Sequence, residues 1–211
     1  MSTHSILRVA IPNISLQNQF FKELGISRVL AQILINRKIV TIAAAEKFLK
    51  SAISDLFSPQ LFLDMPKAIS LVKKAQENKE KVMVFGDYDV DGITSTVLLK
   101  NTLMGMGLEV LHHIPHRINE GYGLNQEIVR FAKENQVKLM ITADCGIVNH
   151  KEIEALRQAN IDVIVTDHHE PQDGQLPAAS SIINPKLKHS GYPYRELAGV
   201  GVAYKFAQAI S

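Results

Sequence analysis

The sequence is poor in three features that would place a protein outside the cell or in a membrane. Cys145 is its single cysteine, so an internal disulfide is excluded and a reducing cytoplasm is the expected location. No apolar run reaches the roughly 18 residues that are needed to span a bilayer. The first residues, Met1–Ser5, lack a basic segment followed by an apolar core, so no secretory signal is expected.

An excess of charge of one sign is also missing. The 23 lysines and arginines nearly balance the 21 aspartates and glutamates, and the formal net charge is +2. Nucleic-acid binding depends on basic side chains that neutralise phosphates. Because the chain as a whole has no basic bias, any surface that binds nucleic acid must be local.

The chain is predicted to contain a small helical arm at 1–65 and an α/β domain at 66–211. In the arm, apolar residues recur near the helical period, and Thr41 precedes an alanine-rich segment as a helix cap would. From Lys81 onwards, strands are predicted at 81–86, 108–114, 138–143, 161–166 and 180–184, and helices at 93–105, 124–135, 149–159 and 198–210. Strands that alternate with helices in this way predict a Rossmann-like parallel sheet with helices on both faces.

Three apolar runs each end in residues that bind metals. Residues 82–86 lead into Asp-Tyr-Asp-Val-Asp-Gly at 87–92, 139–143 lead into Asp-Cys-Gly at 144–146, and 163–166 lead into Asp-His-His at 167–169. In an open parallel sheet, the carboxyl ends of the strands form the edge where ligands bind. Carboxylates that converge there would repel one another unless cations lay between them, so the pattern predicts a pair of divalent metals. Oxygen ligands favour Mg²⁺ or Mn²⁺, and imidazole shifts the preference towards Mn²⁺.

The aspartates at 87–92 have two other interpretations. In an extended segment, Asp87, Asp89 and Asp91 would face the same side, which suits a metal site, but an acidic surface loop would look similar. The string also resembles the start of an EF-hand loop. That loop needs a glutamate at its twelfth position, where this chain has Leu98, and a helix rather than a strand before it, so we reject it.

The other two clusters also have simpler alternatives. An isolated aspartate at position 144 would more often be a helix N-cap, and Cys145 is more typical of a small buried residue than of a nucleophile. The histidines at 168 and 169 could belong to a polar surface loop. The metal interpretation is favoured because all three clusters follow predicted strands.

Residues 116–125 join a predicted strand to a predicted helix and could bind substrate. Gly121 and Gly123 would let backbone amides approach a phosphate, Arg117 could hold it through two hydrogen bonds, and Tyr122 could stack on a base or sugar. The alternative is a glycine-rich connector with Asn125 as a helix cap.

Together, the motifs at 87–92, 144–146 and 167–169 resemble the successive motifs of the DHH phosphoesterase superfamily, and most closely those of its bacterial exonucleases specific for single-stranded DNA. The stretches 120–125 and 198–203 share this resemblance. It implies a two-metal phosphodiesterase that digests single-stranded DNA from the 5′ end in DNA repair and recombination. It also implies a single-stranded-DNA-binding protein and a helicase as protein partners, and no membrane.

The resemblance also assigns roles to individual residues. The implied metal ligands are Asp89, Asp91, Asp144 and His168. Asp89 would bind one metal, Asp91 would bind the other, and Asp144 would bridge them. His169 would lie nearer the scissile phosphate, where it and Arg117 would take part in catalysis, and Asp87 would support the cluster.

The sequence departs from this family pattern at its end. Ser211 directly follows an apolar helix without a glycine stop or a final strand, which is typical of a truncated protein. Related proteins continue with another metal-binding aspartate, a second domain and an OB-fold, so we expect weak activity or none from this chain alone. Two alternatives stay open: a sister phosphodiesterase for short oligonucleotides or cyclic dinucleotides, and a non-catalytic DHH scaffold.

Overall fold

A computed structural model describes residues 10–211, except for the side chain of Asp173. Met1–Ser5, in which no secretory signal is predicted, lie outside the described residues. The chain divides between Leu56 and Phe57 into two compact units. Across the described part of both units, no helix is long and apolar enough to cross a membrane.

The first unit has the helical structure that was predicted for the N-terminal region. Its helices are α1 (Ile14–Leu24), α2 (Arg28–Asn36) and α3 (Ile42–Leu49). Each helix begins after a polar residue whose side chain accepts a hydrogen bond from a backbone amide of the first turn: Asn13, Ser27 and Thr41. Their apolar faces enclose a small core that contains Phe20, Ala31, Leu34 and Ala45.

Residues 57–65, which we had placed in the helical arm, belong to the second unit. The ring of Phe62 stacks on that of Tyr192, with centroids 4.2 Å apart. The amide of Leu63 donates a hydrogen bond to the carbonyl of Ser190 at 2.9 Å. This segment packs with the α/β unit because its aromatic and apolar side chains contribute to the core of that unit.

The second unit shows the predicted alternation of strands and helices. Its elements are α4 (Met65–Glu77), β1 (Lys81–Gly86), α5 (Val90–Gly105), β2 (Val110–His113), α6 (Gln126–Glu134), β3 (Val137–Ala143), α7 (His150–Gln158), β4 (Asp162–Thr166), β5 (Ser181–Ile183) and α8 (Gly199–Ile210). The strands pair in parallel in the order β2-β1-β3-β4-β5. The α/β fold class predicted from the sequence is confirmed.

Helices cover both faces of this sheet because successive side chains of a strand point to opposite faces. On β1, Val82 and Val84 lie in a core with residues of α4, α5 and α8. The intervening Met83 and Phe85 lie in a second core with residues of α6 and α7. Such a sheet is buried on both faces, which is why its strands read as continuous apolar runs.

The strand order brings the ends of β1 and β3 together at the middle of the sheet. The chain moves outward from β1 to β2 and then crosses to β3 on the other side of β1. Ligands of open α/β sheets bind at the carboxyl ends of the strands where the order reverses in this way. Residues that directly follow β1 and β3 are therefore at the expected place for a site.

Candidate metal centre

Two buried carboxylates follow the central strands. Asp87 comes directly after β1, and its amide donates to the carbonyl of Ala143 at 3.2 Å. Asp144 comes directly after β3, and its amide donates to the carbonyl of Thr166 at 2.9 Å. Their exposed fractions are 5% and 1%. Both residues continue the hydrogen-bonding pattern of the sheet by one step, so their side chains are placed by the strands and not by mobile loops.

Asp144 lacks the partner that a buried carboxylate requires. Among the described residues, no donor makes a hydrogen bond with its Oδ1, and the Nε2 of His168 lies 3.1 Å away without the alignment of a hydrogen bond. Burial and the nearby charge of Asp91 raise the pKa of Asp144 to about 8. A buried acceptor without a donor and surrounded by other carboxylates fits a bound cation.

The backbone at Asp144 is also unusual. Its φ is +64°, in the left-handed region that most residues avoid and that aspartate and asparagine adopt more readily. Cys145, the next residue, is fully buried, and burial raises the pKa of its thiol. The interpretation of Cys145 as a small buried residue is therefore confirmed.

The local geometry predicted for the aspartates at 87–92 was wrong. We expected an extended segment in which Asp87, Asp89 and Asp91 face the same side. Instead α5 begins at Val90, because the carboxylate of Asp89 accepts a hydrogen bond from the Gly92 amide at 2.9 Å and caps the helix. Asp91 thus lies in the first turn of α5, where the two-residue alternation of a strand does not apply.

Asp91 connects α5 to the beginning of α8. Its two carboxylate oxygens accept hydrogen bonds from the amides of Gly199 at 2.7 Å and Val200 at 2.6 Å. The partial positive charge at a helix N-terminus stabilises a carboxylate in this position. These contacts place the start of α8 directly against the site. The approach is so close that a Cβ atom at Gly199 would collide with the carboxylate of Asp144.

We predict that replacement of Gly199 by alanine destabilises the protein by about 1–3 kcal/mol, because the new methyl group has to displace either Asp144 or the helix. Thermal unfolding measures this effect. Gly201→Ala is the matched control, since its Cβ would lie 3.2 Å from a flexible methyl group of Leu197. The control should be neutral or stabilising, because alanine favours a helix over glycine. Equal losses in the two variants would contradict the close approach at Gly199.

His168 is oriented by a backbone carbonyl. Its Nδ1 lies 3.0 Å from the carbonyl oxygen of Leu197, which can only accept, so Nδ1 carries the proton. Its Nε2 is then a free acceptor and lies 3.1 Å from Asp144 and 3.8 Å from Asp91. Metal-binding histidines are commonly held in this way by a hydrogen bond to their second nitrogen.

His169 is oriented by the buried carboxylate of Asp167. The Nδ1 of His169 lies 2.7 Å from Asp167 Oδ1, and this hydrogen bond raises the pKa of the imidazole although burial opposes the shift. Burial tends to raise the pKa of Asp167, but the hydrogen bonds from His169 and the Ile147 amide outweigh it and hold that pKa below its usual value. Asp167 therefore stays ionised, and its hydrogen bond with Nδ1 orients the His169 ring so that Nε2 points away from Asp167.

The described residues contain two groups of three side chains that could each hold a metal ion. One group is Asp87, Asp89 and Asp144, and the other is Asp144, His168 and His169. Within each group the potential ligand atoms lie within 4.8 Å of one another. Since Asp144 belongs to both, this arrangement fits two ions that share one carboxylate.

The two groups differ from the predicted ligand set at three positions, which are Asp87, Asp91 and His169. Asp91 is in neither group, and both of its oxygens accept hydrogen bonds from amides of α8. His169, which the resemblance places beside the substrate, also has a potential ligand atom within 4.8 Å of those of Asp144 and His168. Asp89, Asp144 and His168 are brought together as predicted, and Asp87 is close enough to contribute a ligand atom.

The predicted substrate segment lies beside the same edge of the sheet. Gly121 and Gly123 have φ values of +79° and +78°, so both adopt a conformation that suits glycine. Between them, Tyr122 places its hydroxyl 3.4 Å from Nδ1 of His169, and burial raises the pKa of that hydroxyl. The guanidinium of Arg117 lies 5.5 Å from the ring centroid of Tyr88, within the aspartate motif.

Comparison with known proteins agrees with this site. The sequence profile described as the DHH family, N-terminal domain, matches residues 81–211. The chain belongs to the DHH family. The matched region of this DHH protein contains every residue of the candidate metal centre.

Curated relatives of this DHH protein are single-strand-specific exonucleases. The chain is 40% identical over 189 residues to the single-stranded-DNA-specific exonuclease RecJ of Bacillus subtilis, and this match covers 90% of the chain but 24% of the relative. It is 37% identical to the RecJ of Escherichia coli, over 77% of the chain and 28% of the relative. The chain thus spans about a quarter of the length of these relatives.

Solved structures give the same result. A crystal structure of exonuclease RecJ bound to manganese is 34% identical, with a TM-score of 0.67 over 74% of this chain and 39% of the other. The RecJ of Thermus thermophilus in complex with Mn²⁺ is 26% identical, with a TM-score of 0.72 over 96% of this chain and 28% of the other. The resemblance to the DHH superfamily, and to its bacterial exonucleases specific for single-stranded DNA, is therefore confirmed.

Two residues that support the DHH site, Asn184 and Asn149, were not identified from the sequence. Asp167 was part of the predicted metal-binding cluster at 167–169, but the sequence analysis assigned it no individual role, and the structure shows that it orients His169. Asn184 follows β5, and its side chain donates to the carbonyl of His169 at 2.9 Å, so the strand-end rule would have found it. Asn149 exchanges two hydrogen bonds with the backbone of Leu124 and thereby holds the substrate segment, and no sequence signal pointed to it.

Proposed function

We propose that this chain is the metal-binding DHH domain of an exonuclease that hydrolyses single-stranded DNA from its 5′ end, in DNA repair and recombination. The observation that carries this proposal is the pair of ligand groups that share Asp144. Family membership and the RecJ relatives support the reaction type and the substrate class. A cytoplasmic location, with a single-stranded-DNA-binding protein and a helicase as partners, belongs to the same proposal.

The residues that would hold the two divalent cations, Mn²⁺ or Mg²⁺, are Asp87, Asp89, Asp144 and His168, with Asp91 at the rim of the site. Bound there, two such ions would offset charge on the phosphate and supply an activated water at neutral pH. The metals fit because the donors are carboxylates and an imidazole, and because the buried oxygen of Asp144 otherwise lacks a partner.

The remaining residues would position the phosphodiester. Asp167 holds Nδ1 of His169, so the Nε2–H of a protonated His169 can donate to a phosphoryl oxygen. Tyr122 would remain protonated, since burial raises its pKa, and would border the substrate beside His169. Arg117 would bind a phosphate with its guanidinium, next to the backbone of Gly121 and Gly123.

We predict that the complete natural protein degrades a long single strand in Mn²⁺, starts from the 5′ end, and leaves a duplex of the same sequence intact. Strands blocked at one end or the other, followed by separation of the products, measure polarity and strand preference. A higher kcat/KM on dinucleotides or cyclic dinucleotides than on long strands would assign the sister activity instead. Tight metal binding without any hydrolysis would assign a scaffold role.

A further inference from the structure

A pocket of about 470 Å³ lies next to the histidine motif, between the residues that follow it and the loop from β5 to α8. Both ends of that loop are hydrogen bonded to the motif. At one end, Asn184 donates to the carbonyl of His169 at 2.9 Å. At the other end, the carbonyl of Leu197 accepts from Nδ1 of His168 at 3.0 Å. The pocket wall is thus directly connected to the site, although none of the possible metal ligands lines the pocket.

The pocket has an apolar part, and most of the charged side chains that line it are basic. The cations are Lys186, Lys188 and Arg195, accompanied by His189, and the anion is Glu170. Arg195 donates one guanidinium hydrogen bond to the carbonyl of Lys186 at 2.8 Å. The amide of Lys186 in turn donates to the side chain of Asn184 at 2.8 Å. These hydrogen bonds hold the guanidinium of Arg195 and the backbone of Lys186 in a fixed relation to the histidine motif.

The acidic neighbours of these cations bind them weakly. The Nζ of Lys186 lies 3.5 Å from Glu196 and 3.9 Å from Glu170, and Arg195 lies 4.0 Å from Glu170. The side chains of Glu170 and Glu196 are 62% and 69% exposed. Exposed ion pairs of this kind contribute little, so a phosphate can replace the glutamates as the partner of the cations.

The geometry points to a binding site for backbone phosphates of the DNA strand, on the part of the strand that stays attached after each cleavage. This inference rests on the proposed function and adds a substrate subsite to it. Arginine and lysine bind phosphate by charge-assisted hydrogen bonds, and Pro171 and Leu176 give the pocket an apolar side for a sugar or base. The chain has a net charge of only +2, so a local cluster of this kind is what strand binding requires.

The released mononucleotide is the other source of the same phosphate chemistry. We favour the strand because the pocket is lined by three cations, Lys186, Lys188 and Arg195, which suit a chain with a phosphate on each nucleotide better than a mononucleotide with a single phosphate. A subsite for the strand affects only substrates long enough to reach it. A product site would instead change inhibition by mononucleotide, so substrate length separates the two.

The test compares the double variant Lys186→Gln/Arg195→Gln with wild type in the complete natural protein. KM for a long single strand should rise by roughly ten- to a hundredfold, while kcat/KM for a dinucleotide stays unchanged. The slope of log affinity against log salt should become shallower by about 1.4, the value for two lost phosphate contacts on a single strand. The charge-matched control is Lys133→Gln/Lys138→Gln. Lys133 lies at the end of α6 and Lys138 at the start of β3, away from the carboxyl ends of the strands, so all three quantities should stay unchanged.

Three outcomes would overturn the inference. They are an equal loss on long strands and dinucleotides, an unchanged KM for long strands, and weaker inhibition by mononucleotide as the only effect. Strand binding is also measured on metal-free protein with a labelled oligonucleotide, which requires no hydrolysis. Failure of the wild type to cleave long strands would therefore count against the proposed function, whereas equal binding by wild type and variant would count against the pocket.

Discussion

Replacement of Asp144 by asparagine should lower hydrolysis by the complete protein by roughly a thousandfold or more, since a lost shared ligand removes several kcal/mol of electrostatic stabilisation. Asparagine keeps the size of the side chain and tolerates the positive φ at this position, so the fold is preserved. The measurement is kcat at saturating Mn²⁺. Asp144 is decisive because it belongs to both possible ligand groups.

Asp162→Asn is the matched control for this prediction. Asp162 begins β4 at the opposite edge of the sheet, where it accepts hydrogen bonds from Lys74 and Ser180. This variant should retain turnover within about threefold, as is expected of a side chain remote from the chemistry. Near-normal turnover by folded Asp144→Asn would contradict the hypothesis that Asp144 is shared by the two metal ions.

Asp144→Asn should raise the stability of the metal-free protein, although it lowers the activity. The pKa of Asp144 is about 8 in the fold and near 3.9 in an unfolded chain, so the folded state binds the proton more tightly. The stability that protonated Asp144 contributes to the fold is therefore fully present below pH 4 and is lost as the pH rises to 8. In chelator at pH 8, Asp144→Asn should therefore melt roughly 4–8 °C above wild type, which corresponds to about 2 kcal/mol. The difference should shrink at pH 5, and a lower melting temperature of the variant at pH 8 would contradict this account.

Addition of Mn²⁺ should raise the melting temperature of this chain by roughly 5–11 °C at a hundredfold excess over Kd, because a ligand that binds only the folded state stabilises it by about 2.7 kcal/mol. A bound ion would supply the partner that Asp144 lacks and would screen it from the charge of Asp91. Thermal unfolding in chelator and in Mn²⁺ measures the shift.

Two variants show whether this stabilisation comes from the proposed site. Asp144→Asn should lose most of the shift, whereas Asp162→Asn should keep it, because Asp162 is outside both ligand groups. An undiminished shift in Asp144→Asn, or no shift in wild type at saturating metal, would mean that the ions bind elsewhere or that the site is not preformed.

Much of the site could be predicted because strand ends are visible in a sequence. The apolar runs before Asp87, Asp144 and the histidines are strands of one parallel sheet, and parallel strands bring their carboxyl ends to one edge. Period and composition are local properties of a sequence, and they were enough to predict the fold class. They also predicted that Asp89 and His168 both lie close to Asp144, as the structure shows.

The contacts that were missed join residues far apart in the chain. Asp91 binds the amides of Gly199 and Val200, more than 100 residues later, and only the folded arrangement of α5 and α8 brings them together. Asn149 and Leu124 are likewise 25 residues apart. The helical start at Val90 was local and could have been found, since Asp89 three residues before Gly92 fits an N-cap.

Anomalous diffraction from crystals soaked in Mn²⁺ tests the central claim most directly, because it locates the ions without reference to activity. We predict two manganese peaks roughly 3.5–4 Å apart, with the carboxylate of Asp144 between them. Asp89 should border one peak and His168 the other, as the two ligand groups indicate. A data set from saturated crystals with no peak beside Asp144, or with manganese only at remote surface carboxylates, would contradict the metal centre and the nuclease function built on it.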